Sequence, residues 1–384
     1  MSATSAVSTQ IDHRIVASDQ ELDTPLVTVD LDLLERNIAE MAALATSHGV
    51  ALRPHAKTHK SPHVARLQLE AGAIGLTCAK LGEAEVLVEL AGVTDILIAY
   101  PIVGDIKMRR LLELLERAHV IVAVDTHQAA AALSQAISVS DRILDVYVEV
   151  NTGQDRAGAR AGQEAVDLAV TTSRLPGLRL AGVMTHEGHA GFSSPDEIAT
   201  IAQDAGRALV DTAERIRAQG IEVAHVSVGS TPASWFTPRV PGITEMRPGT
   251  YVFHDNNAFR HGRIGPDRCA ARVVSTVVSR PAGQPTGHRA VIDAGSKALA
   301  LDPSPSHPGH GYIVGHPSAT IARLSEEHGV VLLSPDELGF DVGDRVEIIP
   351  NHICPAVNLT DELVIVRDGH VIDRWPVAAR GKVR

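Results

Sequence analysis

Cysteine is scarce in this chain of 384 residues: Cys78, Cys269 and Cys354 are the whole set. An odd, sparse set offers no disulfide framework and suits a reducing compartment, so the cytoplasm is the default expectation. No run approaches the roughly 18 apolar residues that a membrane span needs. The opening stretch, from Met1 to Gln20, lacks both a basic segment and an apolar segment of secretory type, and it reads as a loose arm. Basic charge is in deficit, with 35 Lys and Arg against 46 Asp and Glu and a net charge of −11. The basic residues are scattered rather than gathered in a stripe, which argues against a nucleic-acid or anionic-membrane surface and towards small-molecule partners. A GxGxxG turn after the first strand-like run is also missing, which weighs against a doubly wound dinucleotide fold.

What is present is a repeat. An apolar fraction of 44% supports a real core, and the length allows about two domains. From Thr24 short β-branched runs alternate with longer amphipathic ones, the pattern of a parallel sheet built from βα units. Eight such runs stand out: Leu26 to Val29, Val50 to Arg53, Ala73 to Cys78, Asp95 to Ala99, Val120 to Val124, Asp145 to Val150, Leu180 to Met184 and Val223 to Val228. Eight units predict a closed α/β structure, an eight-stranded (β/α)8 barrel, over residues 24–255. After about Val252 strand-like runs follow one another with no helical pattern of comparable length between them. Residues 256–384 therefore read as a second, mostly β domain, with residues 1–23 as an arm packing on it. Pro303 to Pro308 reads as an exposed loop.

The segment Arg53-Pro54-His55-Ala56-Lys57-Thr58-His59-Lys60 organises the rest. A basic octapeptide is commonly a solvated face, but this one follows a strand-like run and precedes a helical one, where barrel active-site loops gather. A lysine there can form the Schiff base of a pyridoxal phosphate enzyme. Lys57 lies nearer the strand end than Lys60, and crowding by His55, His59, Lys60 and Arg53 is expected to lower its pKa. Gly229, Ser230 and Thr231 follow the last of the eight runs and offer amides and hydroxyls to a phosphate; Gly249, Thr250 and Tyr251 could close over the same group. Taken alone, a GST segment is more often an ordinary turn, and the second segment also reads as a simple turn into a strand. Arg156, after the sixth run, could reach a phenolate oxygen, and His186, after the seventh, is a candidate base. His352 and Cys354 stand two apart after a β run. In an extended segment they share a face, and a thiolate with an imidazole suits zinc; the competing reading is a buried cysteine beside a loop histidine.

These residues resemble the D-threonine aldolase and D-serine dehydratase family, the metal-dependent branch of the alanine-racemase-like (fold type III) pyridoxal phosphate enzymes. The likeness runs from about Thr24 to Arg380. It rests on Asp23-Thr24-Pro25 through Met41, on RPHxKTHK, on CxKxxEAE from Cys78 to Glu85, on SVGSTP, and on PNHxC followed by Asn358-Leu359. It implies a barrel with a β domain and a homodimer with sites at the subunit boundary. By position it implies Lys57 on the cofactor, Gly229, Ser230, Gly249 and Thr250 on its phosphate and Arg156 on its phenolate side. It also implies a divalent metal (zinc, with manganese or magnesium as alternatives) on His352 and Cys354 with His186 beside it, and D-3-hydroxy amino acids as substrates. Cys354 is similar to the dehydratases, where aldolases tend to carry aspartate, which tilts the reaction towards loss of water. Arg247, in an RPG segment, resembles the alanine racemase arginine that faces the pyridine nitrogen.

The expected activity is thus β-elimination of water, with cleavage to glycine and an aldehyde as the alternative. A racemase, with Tyr312 as the candidate second base, and a non-catalytic cofactor-binding protein are the other classes.

Overall fold

The computed structural model describes residues 22–281, 288–304, 308–334 and 340–384. Most of the expected N-terminal arm and part of the expected proline-rich loop lie outside the described residues.

Eight parallel strands form the barrel. Their order around the sheet is Ala51–Leu52, Glu245–Met246, His225–Val228, Leu178–Met184, Leu144–Asn151, His119–Val124, Asp95–Ile98 and Leu76–Cys78. The ring closes where His55 bridges Thr77 and the Ile74 amide donates to the Leu52 carbonyl at 2.9 Å. Runs such as HVIVAV and LDVYVEV are buried along nearly their whole length because both faces of a parallel sheet are covered. The outer helices start where the sequence offers caps: Asp30 before Leu31–Ser47, Thr126 before His127–Ile137, and a Ser194–Glu197 capping box at Pro195–Arg217.

The expected count of eight is right, but one member differs. Leu26–Asp30 pairs antiparallel with Ala271–Ser279 and parallel with Glu362–Arg367, in the second sheet. The eighth barrel strand is Glu245–Met246, between Ala51–Leu52 and His225–Val228. Alternating Val27 and Val29 mark a strand but carry no information about which sheet it joins, and a two-residue strand leaves no periodicity to detect. The other seven barrel strands are therefore each numbered one lower than the sequence suggested. The SVGST turn follows the seventh strand and the RPGT turn the eighth, the two loops that bind phosphate in many barrels.

The second sheet runs Thr320–Leu324, Gly329–Leu332, Arg289–Ile292, Ala271–Ser279, Leu26–Asp30, Glu362–Arg367, His370–Pro376, with Arg345–Ile349 and Tyr312–Ile313 branching from Ala271–Ser279. Apolar residues of both sheets belong to one buried cluster, Val29 and Ile348 with Val122 and Val148 among them. This shared core brings the short helix Ile353–Asn358 against the turn Ala56–Thr58, where Cys354 Sγ lies 3.2 Å from Thr58 Oγ1.

Candidate active site

Lys57 sits in a single 3-10 turn, Ala56–Thr58, capped by His55. The chain leaves that turn through Lys60, which sits in the left-handed region with a φ of 49°. Lys60 Nζ meets Glu83 Oε1 at 2.7 Å in a buried pair, whereas Lys57 lines a cavity of about 370 Å³. His59 is buried between Gln68 and Ser61 and its pKa falls to about 4 through burial, so it carries no charge. The Lys57 pKa is lowered, as expected, but for a different reason. Burial is the main cause; Arg156 and Arg247 add to it, and Cys354 and Glu83 oppose it. Arg53 and Lys60 are held by carboxylates instead.

Ser230 and Thr231 border the same cavity. The Ser230 hydroxyl oxygen accepts from the Ala233 amide at 3.3 Å, and the Thr231 oxygen accepts from the Gly249 and Tyr251 amides at 3.2 Å each. A hydroxyl whose oxygen already accepts keeps its one proton to give, so both are available donors to an anion. Gly249 is fixed by space: a Cβ there would lie 2.9 Å from Thr58 Oγ1 and 3.3 Å from the His55 carbonyl. Thr250 also borders the cavity, and the remaining two expected phosphate residues, Gly229 and Tyr251, depart from expectation. The Gly229 amide donates to Glu187 Oε2 at 3.1 Å. Tyr251 is buried in the core, its hydroxyl accepting from Gln68 Nε2 at 3.0 Å, so only its backbone reaches the site.

Arg156 reaches the cavity from an exposed loop shaped by Asn151, whose Oδ1 accepts the Gly153 and Asp155 amides at 3.0 and 3.2 Å. His186 Nδ1 is 2.9 Å from the Gly229 carbonyl. A carbonyl only accepts, so Nδ1 carries the proton and Nε2 keeps a lone pair. Burial, then Lys57, Arg156 and Arg247, hold His186 well below its usual pKa, in the neutral form.

His352 and Cys354 both border the cavity, but not on an extended segment. His352 caps the helix Ile353–Asn358 and Cys354 lies in its first turn; helix geometry, not strand alternation, brings them within hydrogen-bond reach. Burial opposes charge on both. The His352–Cys354 attraction nevertheless raises the imidazole pKa and lowers the thiol, with Asp302 assisting the first and Thr58 the second. Asp302 Oδ1 accepts from His352 Nδ1 at 3.0 Å, which leaves Nε2 as the ring nitrogen for a metal. A thiol and an oriented imidazole fit a divalent ion with open positions. Among the described residues no third His, Cys, Asp or Glu completes the set. Two roles escaped the sequence: Asp302 is 50 residues from its partner, and Glu187, buried with Oε1 unpartnered, has its pKa pushed up to about 7 by burial. Tyr312 packs edge-on against Phe259 and does not border the cavity of its own chain.

A barrel mouth that gathers a half-buried lysine, two phosphate-type turns and two arginines, with a β domain bringing a thiol–imidazole pair, defines an enzyme of the alanine-racemase-like class. The alanine racemase N-terminal domain matches residues 29–257 and a putative serine dehydratase domain matches residues 270–366. The chain is 35% identical to a D-threonine aldolase of an Arthrobacter species, over 94% of this chain and 93% of that one. It is 33% identical to D-threo-3-hydroxyaspartate dehydratase of Delftia sp. strain HT23, over 87% and 91%. The crystal structure of D-threonine aldolase from Filomicrobium marinum superposes with a TM-score of 0.87 at 36% identity, covering 95% of this chain and 97% of that one. Alanine racemase of Clostridium difficile, at 16% identity and a TM-score of 0.67, shares the fold. The chain belongs to the D-threonine aldolase and D-serine dehydratase family and is a lyase; members of this family are pyridoxal phosphate enzymes.

Proposed function

We propose that the protein eliminates water from D-3-hydroxy amino acids, with pyridoxal phosphate at Lys57 and a divalent ion, zinc by the softness of the donor set, at His352 and Cys354. The thiol–imidazole pair on the cavity that Lys57 lines is the observation that carries this reading. When bound, the cofactor supplies an electron sink at the substrate's α-carbon and the metal a Lewis acid at its β-oxygen. The Ser230 and Thr231 hydroxyls and the Gly249 and Thr250 segment hold the phosphate. Arg156 would bind the phenolate side and Arg247 would lie on the side of the ring nitrogen. Lys57 Nζ, with its pKa lowered by burial, is the base for the α-proton. His186 Nε2 accepts or returns a proton within the cavity, while Phe192 and Trp235 at its wall limit water. Asp302 keeps His352 Nδ1 protonated and the ring aimed. We also propose a cytoplasmic homodimer, which light scattering checks.

A second reading, cleavage to glycine and an aldehyde, is favoured by the likeness to the two D-threonine aldolases. Incubating D-serine, D-threonine and D-3-hydroxyaspartate with the loaded enzyme separates the two. Equal amounts of keto acid and ammonia support dehydration; glycine with an aldehyde in their place overturns it.

A further inference from the structure

Beneath the cavity, a file of side chains alternating in charge runs through the barrel. Arg247, 4% exposed, donates to Ser227 Oγ and, at 2.5 Å, to the Thr185 carbonyl. Among the described residues no carboxylate lies within ion-pair distance of it. Glu245, Glu187 and Glu149 all act on its charge from a distance; the hydrogen-bonded link is to Glu245 through Ser227, whose hydroxyl donates to Glu245 Oε1 at 2.5 Å. Glu245 is fully buried, and its Oε2 accepts from Arg53 Nε at 2.9 Å. Arg53, itself 2% exposed, donates on to Asp95. Asp95 Oδ2 lies 3.3 Å from His119 Nδ1, and His119 Nε2 lies 2.8 Å from Asp145 Oδ2. Arg179 closes the file with a two-pronged grip on Asp145 at 2.5 and 2.7 Å.

We infer that Ser227, Glu245 and Arg53 are positioning residues for Arg247, fixing which way its guanidinium points and how much of its positive field the cofactor meets. The inference rests on the proposed placement of Arg247 beside the cofactor ring. A serine hydroxyl has one proton, and an ionised carboxylate only accepts. Glu245 therefore claims the Ser227 proton and turns the oxygen lone pairs to Arg247. Arg53 holds the other oxygen of Glu245 at 2.9 Å, which fixes the carboxylate facing Ser227 and keeps this buried charge paired. The remaining members anchor Arg53 at the ends of the strands Asp95–Ile98, His119–Val124 and Leu144–Asn151, away from the cavity. Glu245 thus touches neither the cavity nor a substrate, and any effect it has there passes through Ser227 and Arg247.

A glutamine at 245 keeps size and hydrogen-bonding capacity but removes the charge, and its amide can donate, which frees Ser227 to reverse its proton. The test is a double-mutant cycle on Glu245→Gln and Arg247→Gln, read as the dissociation constant of pyridoxal phosphate from the apo-protein and the pH midpoint of the bound cofactor's absorbance. With Arg247 present, Glu245→Gln is expected to weaken cofactor binding about tenfold. The midpoint should fall by about one pH unit, because the positive charge is then less compensated. In the Arg247→Gln background both effects should vanish. Ser227→Ala, run in the same two backgrounds, should repeat the result and carries the comparison if Glu245→Gln does not fold. Equal effects with and without Arg247 overturn the inference and leave the proposed function standing. Cofactor affinity and spectrum unmoved by Arg247→Gln alone overturn both.

Discussion

Lys60 Nζ and Glu83 Oε1 stand 2.7 Å apart in an ion pair whose side chains are 8% and 2% exposed. The pair settles the division of labour between the two lysines of the HAKTHK stretch. Lys60 neutralises a carboxylate inside the protein, and Lys57 is left facing the cavity. Replacing Lys60 by Met strands the Glu83 charge and should cost about 3–5 kcal/mol, visible in denaturant unfolding. Lys57→Ala should leave unfolding nearly unchanged and abolish the covalently held cofactor. Borohydride trapping followed by peptide mapping reads this out; label on Lys60 or Lys297 would refute the assignment.

The pH dependence of stability should report the far end of the barrel. Hydrogen bonds to Asp145 and Asp95 raise the His119 pKa to about 9, against a desolvation cost. A folded-state pKa above the unfolded value of roughly 6.5 means that the contribution is complete below that value and is lost as pH rises through about 9. His119 is half exposed, so solvent screening limits the effect to about 1 kcal/mol. Urea midpoints should therefore decline between about pH 6.5 and 9 in the parent and stay level in His119→Gln. Parallel curves for the two proteins would show that the pair with Asp145 contributes nothing.

The fold class and the site differed in how far they could be read from the chain. Periodic β-branched runs exposed seven of the barrel strands because burial on both faces leaves an unbroken apolar signature. Glu245–Met246 escaped because pairing on both sides, not its own composition, makes it a strand. Leu26–Asp30 was visible as a strand but was assigned to the barrel, since partner choice is decided by residues some 245 positions away. The residues around Lys57 were legible as a cluster, but the charge logic was not. Each neighbouring cation finds a carboxylate, or loses its proton, through contacts such as Arg53–Glu245 that span the whole domain. His352 and Cys354 were paired on the assumption of an extended segment, and a helix start brings them together instead.

Removal of the metal should separate the two cofactors. His352 and Cys354 lie on the β domain and Lys57 on the barrel, and the described hydrogen bonds around Ser230, Thr231 and Gly249 include neither metal-site residue. A chelator should therefore abolish turnover and leave the absorbance of bound pyridoxal phosphate within a few per cent of its starting value; added zinc should restore activity. Full activity in metal-free protein would remove the role given to the pair.

Cys354→Asp probes what the sulfur contributes. The thiol is buried against Thr58 and paired with His352, which lowers its pKa and favours the soft thiolate donor that a metal binds. Aspartate keeps the negative charge but replaces sulfur with hard oxygen, so binding should shift from zinc towards manganese or magnesium. A harder ion, with less charge donated by its ligands, withdraws electrons differently from a bound β-oxygen, and the balance between losing that oxygen and cleaving the adjacent carbon–carbon bond should move. We expect the ratio of aldehyde to keto acid from a single D-3-hydroxy substrate to rise by about tenfold, equivalent to ~1.4 kcal/mol between two competing barriers, and to depend on the ion supplied. Measuring both products across zinc, manganese and magnesium tests this, with metal content determined on the same samples. An unchanged ratio with metal bound would show that the sulfur does not steer the reaction, and the case for dehydration would then rest on the substrate profile alone.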